Sequence, residues 1–103
     1  MGVTYKKDIK DLRKSPALDI IDSFQQKKFH VSYYDPLIPY LKLNHIDLKC
    51  VDLSRKSLNT FDCVIIATDH SGIDYEFFLK ESRLIFDARN VYRNIDDKKV
   101  IRL

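Results

Sequence analysis

The basic side chains of this sequence are gathered near its start. Residues 1–14 carry Lys6, Lys7, Lys10, Arg13 and Lys14 against Asp8 and Asp11, a local excess of +3. The whole chain has 18 Lys and Arg against 15 Asp and Glu, also +3, so the remainder is neutral. A coat for nucleic acid would spread further along the chain; an excess confined to one segment suits a small anion such as phosphate. Arg13 and Lys14 stand just before Ser15-Pro16, where Ser15 reads as a helix N-cap and Pro16 as the first helical residue. Cations there face the positive end of the helix dipole. An anion held by helix N–H groups together with Arg13 or Lys6 would relieve that conflict. The other reading of the same charges is an exposed, solvated loop.

Three further positions follow segments that read as strands. Asp35 ends His30–Tyr34 and precedes Pro36, so it is either the ribose-binding acid of a nucleotide fold or the start of an Asp-Pro turn. Asp69-His70 follows the apolar run Cys63–Ala67 and either faces a ligand crevice or caps and solvates a loop. Arg89 follows Arg83–Phe86 through Asp87-Ala88, as a second anion clamp or a surface ion pair. Gly2 is the only glycine before Gly72; neither a Walker loop nor G-x-G-x-x-G is present. Cys50 and Cys63 lie in unlike segments, match neither a disulfide framework nor zinc spacing, and read as buried or incidental thiols.

The elements that must position these residues alternate. Ala17, Ile20, Ile21, Phe24 and Lys28 share one face of a helix from Ser15 to about residue 28. A strand over 30–34, a turn of helix near 38–42, a brief strand near 49–52 and a short helix from a Ser54 cap to Phe61 follow. The run 63–67 predicts a buried parallel strand, Asp74 caps a helix with Tyr75, Phe78 and Leu79 inward, and 83–86 forms the next strand. Strand alternating with helix predicts an α/β, three-layer, mainly parallel sheet covered on both faces. A strand is required before the Ser15 helix, yet only Met1-Gly2-Val3 precedes the Thr4-Tyr5-Lys6 loop. The first strand is cut short, unless a segment such as Val100–Leu103 fills its place.

With 103 residues, 45% hydrophobic, 2 Gly and 3 Pro, the chain is one folded domain spanning 1–103 and not a collagen-like or disordered one. No apolar run approaches a membrane span, and no basic-then-apolar leader begins it, which predicts a cytoplasmic protein without nucleic acid or membrane partners.

Four ordered blocks carry a resemblance: G-V-T-Y-K-K-D-I-K-D-L-R-K-S-P-A-L-D-I-I (2–21), V-S-Y-Y-D-P (31–36), V-I-I-A-T-D-H (64–70) and F-D-A-R-N (86–90). Together they resemble the C-terminal domain of the UDP-glucose/GDP-mannose dehydrogenase family, nearest to the branch acting on UDP-N-acetylglucosamine and related UDP-N-acetyl-hexosamines. The resemblance implies a Rossmann-like domain that binds the UDP part of a UDP-sugar. It belongs to an enzyme that oxidises the sugar C6 alcohol to a carboxylate in two NAD-dependent steps, through a cysteine-bound intermediate, for surface polysaccharides.

Carried over by motif, the family's aromatic-Lys pair on the UDP-sugar falls on Tyr5 and Lys6. The arginine of its D-x-R motif, a substrate contact, falls on Arg89. Its arginine before the S-P helix, which reaches toward NAD on the other domain, falls on Arg13. Where family members read D-D-L-R-E-S, this chain reads Lys10-Asp11-Leu12-Arg13-Lys14-Ser15. The resemblance places NAD mainly on an N-terminal domain outside this sequence, and the central domain and catalytic cysteine outside it too; Cys50 and Cys63 do not lie in the family's glycine-rich cysteine motif. These expectations make the chain inactive alone, in need of those domains or a companion chain, and part of a possible homo-oligomer. The alternative is a free-standing α/β anion-binding or interaction module without catalysis.

Overall fold

The computed structural model describes residues 1–43, 45–53 and 58–102. In chain order it contains helix α1 (Pro16–Gln26), strands β1 (Tyr40–Leu43) and β2 (Ile46–Lys49), a 3₁₀ turn (Leu58–Thr60), β3 (Val64–Ile66), α2 (Tyr75–Glu81), β4 (Ile85–Asp87) and β5 (Val100–Arg102). β3, β4 and β5 form a parallel sheet in that order, with Val64 opposite Ile85 and Ile85 opposite Val100. β1 and β2 form a separate antiparallel hairpin, Tyr40 opposite Lys49 and Leu43 opposite Ile46. The α/β class expected from the sequence is what the chain adopts, a small Rossmann-like sheet with two helices.

Hydrogen bonds carry the sheet beyond β3. Met1 N donates to Ile65 O at 2.7 Å and Ala67 N to Met1 O at 2.9 Å, the offset that parallel pairing produces. On its other side Gly2 N donates to Tyr34 O at 2.8 Å, and Val51 N reaches Tyr33 O at 2.9 Å. Residues 1–3 therefore lie between β3 and the segment around residue 34, the central place expected for the short first strand. β5 pairs only at the opposite edge, so Val100–Arg102 does not fill that place; Leu103 is outside the described residues.

Several local expectations are corrected. Residues 30–34 make isolated bonds to Gly2 and Val51 and form no regular strand, because Gly2 is their only partner in the short central segment and Pro36 ends the run without an N–H. The turn of helix near 38–42 is strand β1, since Pro39 removes a donor while Tyr40 and Leu41 find antiparallel partners. The neighbouring strand lies at 46–49, not 49–52, and the strand expected at 83–86 runs from Ile85 to Asp87. The expected cap at Ser54 lies outside the described residues. α1 stops at Gln26, where Lys27 caps it and Lys28 turns to φ 65°.

Two apolar clusters hold these elements. Val3, Ala17, Ile21, Tyr33, Ile38, Leu41 and Ile46 join α1 to the central segment and the hairpin. Leu58, Val64, Ile66, Phe78, Ile85 and Tyr92 join α2 to β3 and β4. Each cluster contains one helix, as a sheet with helices on both faces requires.

Candidate functional site

The loops leaving residues 1–3, β3 and β4 all start from the carboxyl ends of parallel strands, the edge where open α/β sheets bind ligands. The first, residues 4–14, is pinned from below. Thr4 is fully buried; its hydroxyl donates to Lys6 O at 2.8 Å, and its carbonyl accepts from the Thr68 hydroxyl at 2.7 Å. Asp8 N donates to His70 Nδ1 at 2.8 Å. The neutral His70 ring therefore carries its proton on Nε2, which lies 2.8 Å from Asp35 Oδ2 and 3.2 Å from Thr4 Oγ1. The Asp8 carboxylate accepts from Ser71 N and Ser71 Oγ at 2.7 and 2.6 Å, and these two bonds hold its carboxyl below the ordinary value.

These anchors leave Tyr5 and Lys6 exposed. Tyr5 is fixed through its N–H to Asp11 O at 2.7 Å while the residue stays 45% exposed. The Lys6 ammonium lies over that ring, 5.7 Å from its centroid. The pair presents one aromatic face and one cation on a fixed backbone, suited to a ligand that joins a planar ring to phosphate.

Arg89 stands on the β4 loop. Asp87 is buried and accepts from Arg89 N, Val91 N and Tyr92 N at 3.1, 3.0 and 2.8 Å, so one carboxylate shapes the turn that carries the guanidinium. Arg89 Nε is 3.5 Å from Asp69 Oδ1, a long contact that joins the β3 and β4 loops. Tyr92 OH donates to Tyr75 O and Tyr75 OH to His70 O, at 2.7 and 2.8 Å. Burial pushes both phenols far above their usual range and fixes them as donors.

Arg13 is placed differently. Its Nε and Nη2 each lie 3.1 Å from a different Asp11 carboxylate oxygen, and the side chain is almost fully exposed. The charge at the head of α1 is thus balanced within the loop by Asp11, which Arg13 holds below its ordinary titration. Ser15 occupies the N-cap position, but its hydroxyl donates to Val3 O at 2.7 Å and accepts no helix N–H. The expected capping bond is replaced by one that ties the helix start to the central segment.

Two other expectations change. Asp35 faces no ribose: it is 1% exposed and spends its carboxylate on Val3 N, Leu37 N and His70, combining the Asp-Pro turn with a buried anchor. His70 is neither a solvated loop residue nor a crevice residue, being equally buried beneath the loop. Cys50 is half-buried and Cys63 exposed, and partial burial raises the Cys63 thiol above its ordinary value. Sequence reasoning missed Thr4, Asp8, Thr68, Ser71 and Asp87. Of these only Asp87 carried a signal, an acid at a strand end followed by several free N–H groups.

Residues 1–94 match the UDP-binding domain of the UDP-glucose/GDP-mannose dehydrogenase family. The chain is 40% identical over 99 residues to a UDP-N-acetyl-D-mannosamine dehydrogenase of Methanococcus aeolicus, covering 86% of this chain and 21% of that one. A Methanococcus vannielii protein of the same name is 31% identical over 100 residues, covering 87% and 22%. A UDP-glucose 6-dehydrogenase of Rickettsia conorii is 31% identical over 108 residues, covering 97% and 25%. The chain thus spans between a fifth and a quarter of these relatives' length. No solved structure matches it significantly. No helix among the described residues is long and apolar enough to cross a membrane.

Proposed function

Since the chain belongs to the UDP-glucose/GDP-mannose dehydrogenase family, through its UDP-binding domain, we propose that residues 1–103 are the UDP-sugar-binding part of a UDP-N-acetyl-hexosamine 6-dehydrogenase. UDP-N-acetylglucosamine is the substrate we favour, oxidised at C6 to a carboxylate in a cytoplasmic enzyme that supplies surface polysaccharide. The observation that carries this reading is the pinned loop. Thr4 and Asp8 are tied to the β3 loop while Tyr5 and Lys6 between them stay exposed, and Arg89 stands on the neighbouring loop.

In this reading the Tyr5 ring packs on a planar part of the ligand while Lys6 and Arg89 take its phosphate charge. Lys6 acts as a point charge and Arg89 as a fork, both more effective on a backbone that needs no ordering on binding. Asp69 holds Arg89 in place without a short bond, so the guanidinium can turn to an anion at small cost. Arg13 is the residue we assign to the NAD side of the enzyme, with Asp11 setting its direction.

NAD, which accepts the hydride in such a dehydrogenase, does not fit the described residues of this chain. The glycine fingerprint is absent, and the acid at the ribose position, Asp35, is buried and fully engaged. NAD is therefore assigned mainly to the parts of the enzyme outside this sequence, with Arg13 the residue of this chain that reaches toward it. This chain's contribution is to bind and orient the substrate's UDP.

Calorimetric or chemical-shift titration with UDP tests the reading. Weak binding is expected, from about millimolar to about tens of micromolar, or about −4 to −6 kcal/mol. The shifts should fall on residues 4–16 and 87–90. Shifts confined elsewhere would remove the site, and no binding together with a stable protein partner would favour the non-catalytic module.

A further inference from the structure

We propose that His70, buried beneath the loop, is the residue that positions the Tyr5–Lys6 loop, and that it does so only as the neutral ring protonated on Nε2. This rests on the UDP-binding reading for its consequence, and on geometry alone for its mechanism.

The ring holds the loop at both ends. Nδ1 accepts the Asp8 N–H at 2.8 Å, and Nε2–H points to Asp35 Oδ2 at 2.8 Å with Thr4 Oγ1 at 3.2 Å. Thr4 passes the constraint on, because its own hydroxyl proton goes to the Lys6 carbonyl at 2.8 Å. One buried imidazole thus fixes residues 4, 6 and 8, on either side of the aromatic-cation pair. Its environment makes that dependent on protonation state. Asp35 faces one nitrogen, the Asp8 carboxylate lies 3.8 Å from the other, and the Tyr75 hydroxyl donates to the His70 carbonyl. A proton added at Nδ1 would point at the Asp8 N–H, donor against donor, and would compete for the Asp8 carboxylate that now holds Ser71. Acid therefore exchanges the bond that closes the loop for an ion pair that pulls Asp8 away from both partners.

The test uses the whole chain and needs no variant at first. Long-range nitrogen–proton spectra should show His70 protonated on Nε2 near neutral pH. Hydrogen exchange of the Asp8 amide, corrected for its intrinsic pH dependence, should then lose protection over the pH range in which the same spectra show the His70 ring gaining its proton. An Nδ1-protonated tautomer, or protection unchanged across that range, would overturn the proposal whether or not UDP binds. UDP affinity should fall about tenfold over the same range. The ligand's terminal phosphate also gains a proton in acid, so His70→Asn serves as the control: its side-chain oxygen can stand in for Nδ1 as acceptor but cannot be protonated. With no ring to protonate, it should show only the ligand's own pH dependence, read relative to its own affinity at neutral pH. An identical acid loss in H70N would assign that loss to the ligand and overturn the positioning role. UDP that fails to bind at any pH, with Asp8 still opening in acid, would defeat the functional reading and leave the positioning role standing.

Discussion

A Cβ added to Gly2 would lie 2.4 Å from the carbonyl oxygen of Thr68 and 2.6 Å from its Cβ. Gly2 also sits at φ 84°, where other residues are strained. The two segments approach this closely because residues 1–3 must bond both Tyr34 and β3 while Thr68 Oγ1 reaches back to Thr4. Gly2→Ala should therefore cost about 2–4 kcal/mol, combining overpacking and backbone strain. A fall in Tm of about 10 °C or more checks it; an unchanged Tm would mean the two segments can separate freely.

Asp35 is a carboxylate buried in the core. Its carboxylate, 1% exposed, is shared by Val3 N, Leu37 N and His70. Asp35→Ala strands all three and should cost about 3–5 kcal/mol, as removal of one partner from a buried charged pair does. Asp35→Asn keeps the size and one acceptor oxygen and should cost clearly less. Urea unfolding of both variants decides it; equal losses would show that shape, not acceptor count, matters there.

Much of this was readable in the sequence, and the failures have physical causes. Pro16, the Ala17 and Ile21 part of the α1 face, the Asp74 cap and the Val64–Ile66 strand are local signals, and each appears in place: Asp74, for example, accepts from Phe77 N. The hairpin at 40–49 was misread because its pairing depends on partners several residues away, which no short window contains. The exposed site residues were legible as charge and motif. The buried supports were not, since Thr4, Asp8, Thr68 and Ser71 act across 63 or 64 residues of sequence. His70 and Asp35 were visible as ligand-like residues. Only their burial shows that they face each other.

The Asp8–Ser71 contact sets a defined acid response. Two Ser71 bonds lower the Asp8 carboxyl below its ordinary value of 3.8. A depressed carboxyl contributes stability that is complete above the unfolded titration and is lost as pH falls through the lower folded one. As long as the His70 ring stays neutral, the contribution should thus persist at pH 5 and fade below about 4. Ser71→Ala should move the Asp8 titration upward, read from its side-chain carbon shift in an NMR pH series. An unmoved titration would assign the depression to the neighbouring charges of His70 and Lys7.

In isolation the chain should reduce no NAD with UDP-N-acetylglucosamine. Hydride transfer needs a seated nicotinamide and the covalent step a thiolate. Partial desolvation of its sulfur raises the Cys63 thiol, so it should alkylate more slowly than a free cysteine at pH 7. Absorbance at the NADH band and iodoacetamide kinetics are the measurements. Turnover abolished by Cys50→Ser or Cys63→Ser would show that this part of the enzyme carries chemistry of its own.

The three cations at the sheet edge should separate by how each is already held. Lys6 rests over Tyr5 and meets no carboxylate among the described ion pairs, so Lys6→Ala should weaken UDP binding by about tenfold, the worth of one charge-assisted contact to phosphate. Arg89 must leave a 3.5 Å contact with Asp69 to reach a ligand, and that exposed pair is worth little. Arg89→Ala should therefore cost a similar factor, while Asp69→Asn should bind UDP equally well or slightly better. Arg13 is clamped by two 3.1 Å bonds to Asp11, so Arg13→Ala should leave UDP affinity within about twofold. Titrations of the four variants at fixed, low salt give the comparison, because surface charges lose their reach as ionic strength rises. A tenfold loss in Arg13→Ala alone would move the phosphate from the Lys6–Arg89 edge to the head of α1, and with it the division of labour between the UDP and NAD sides.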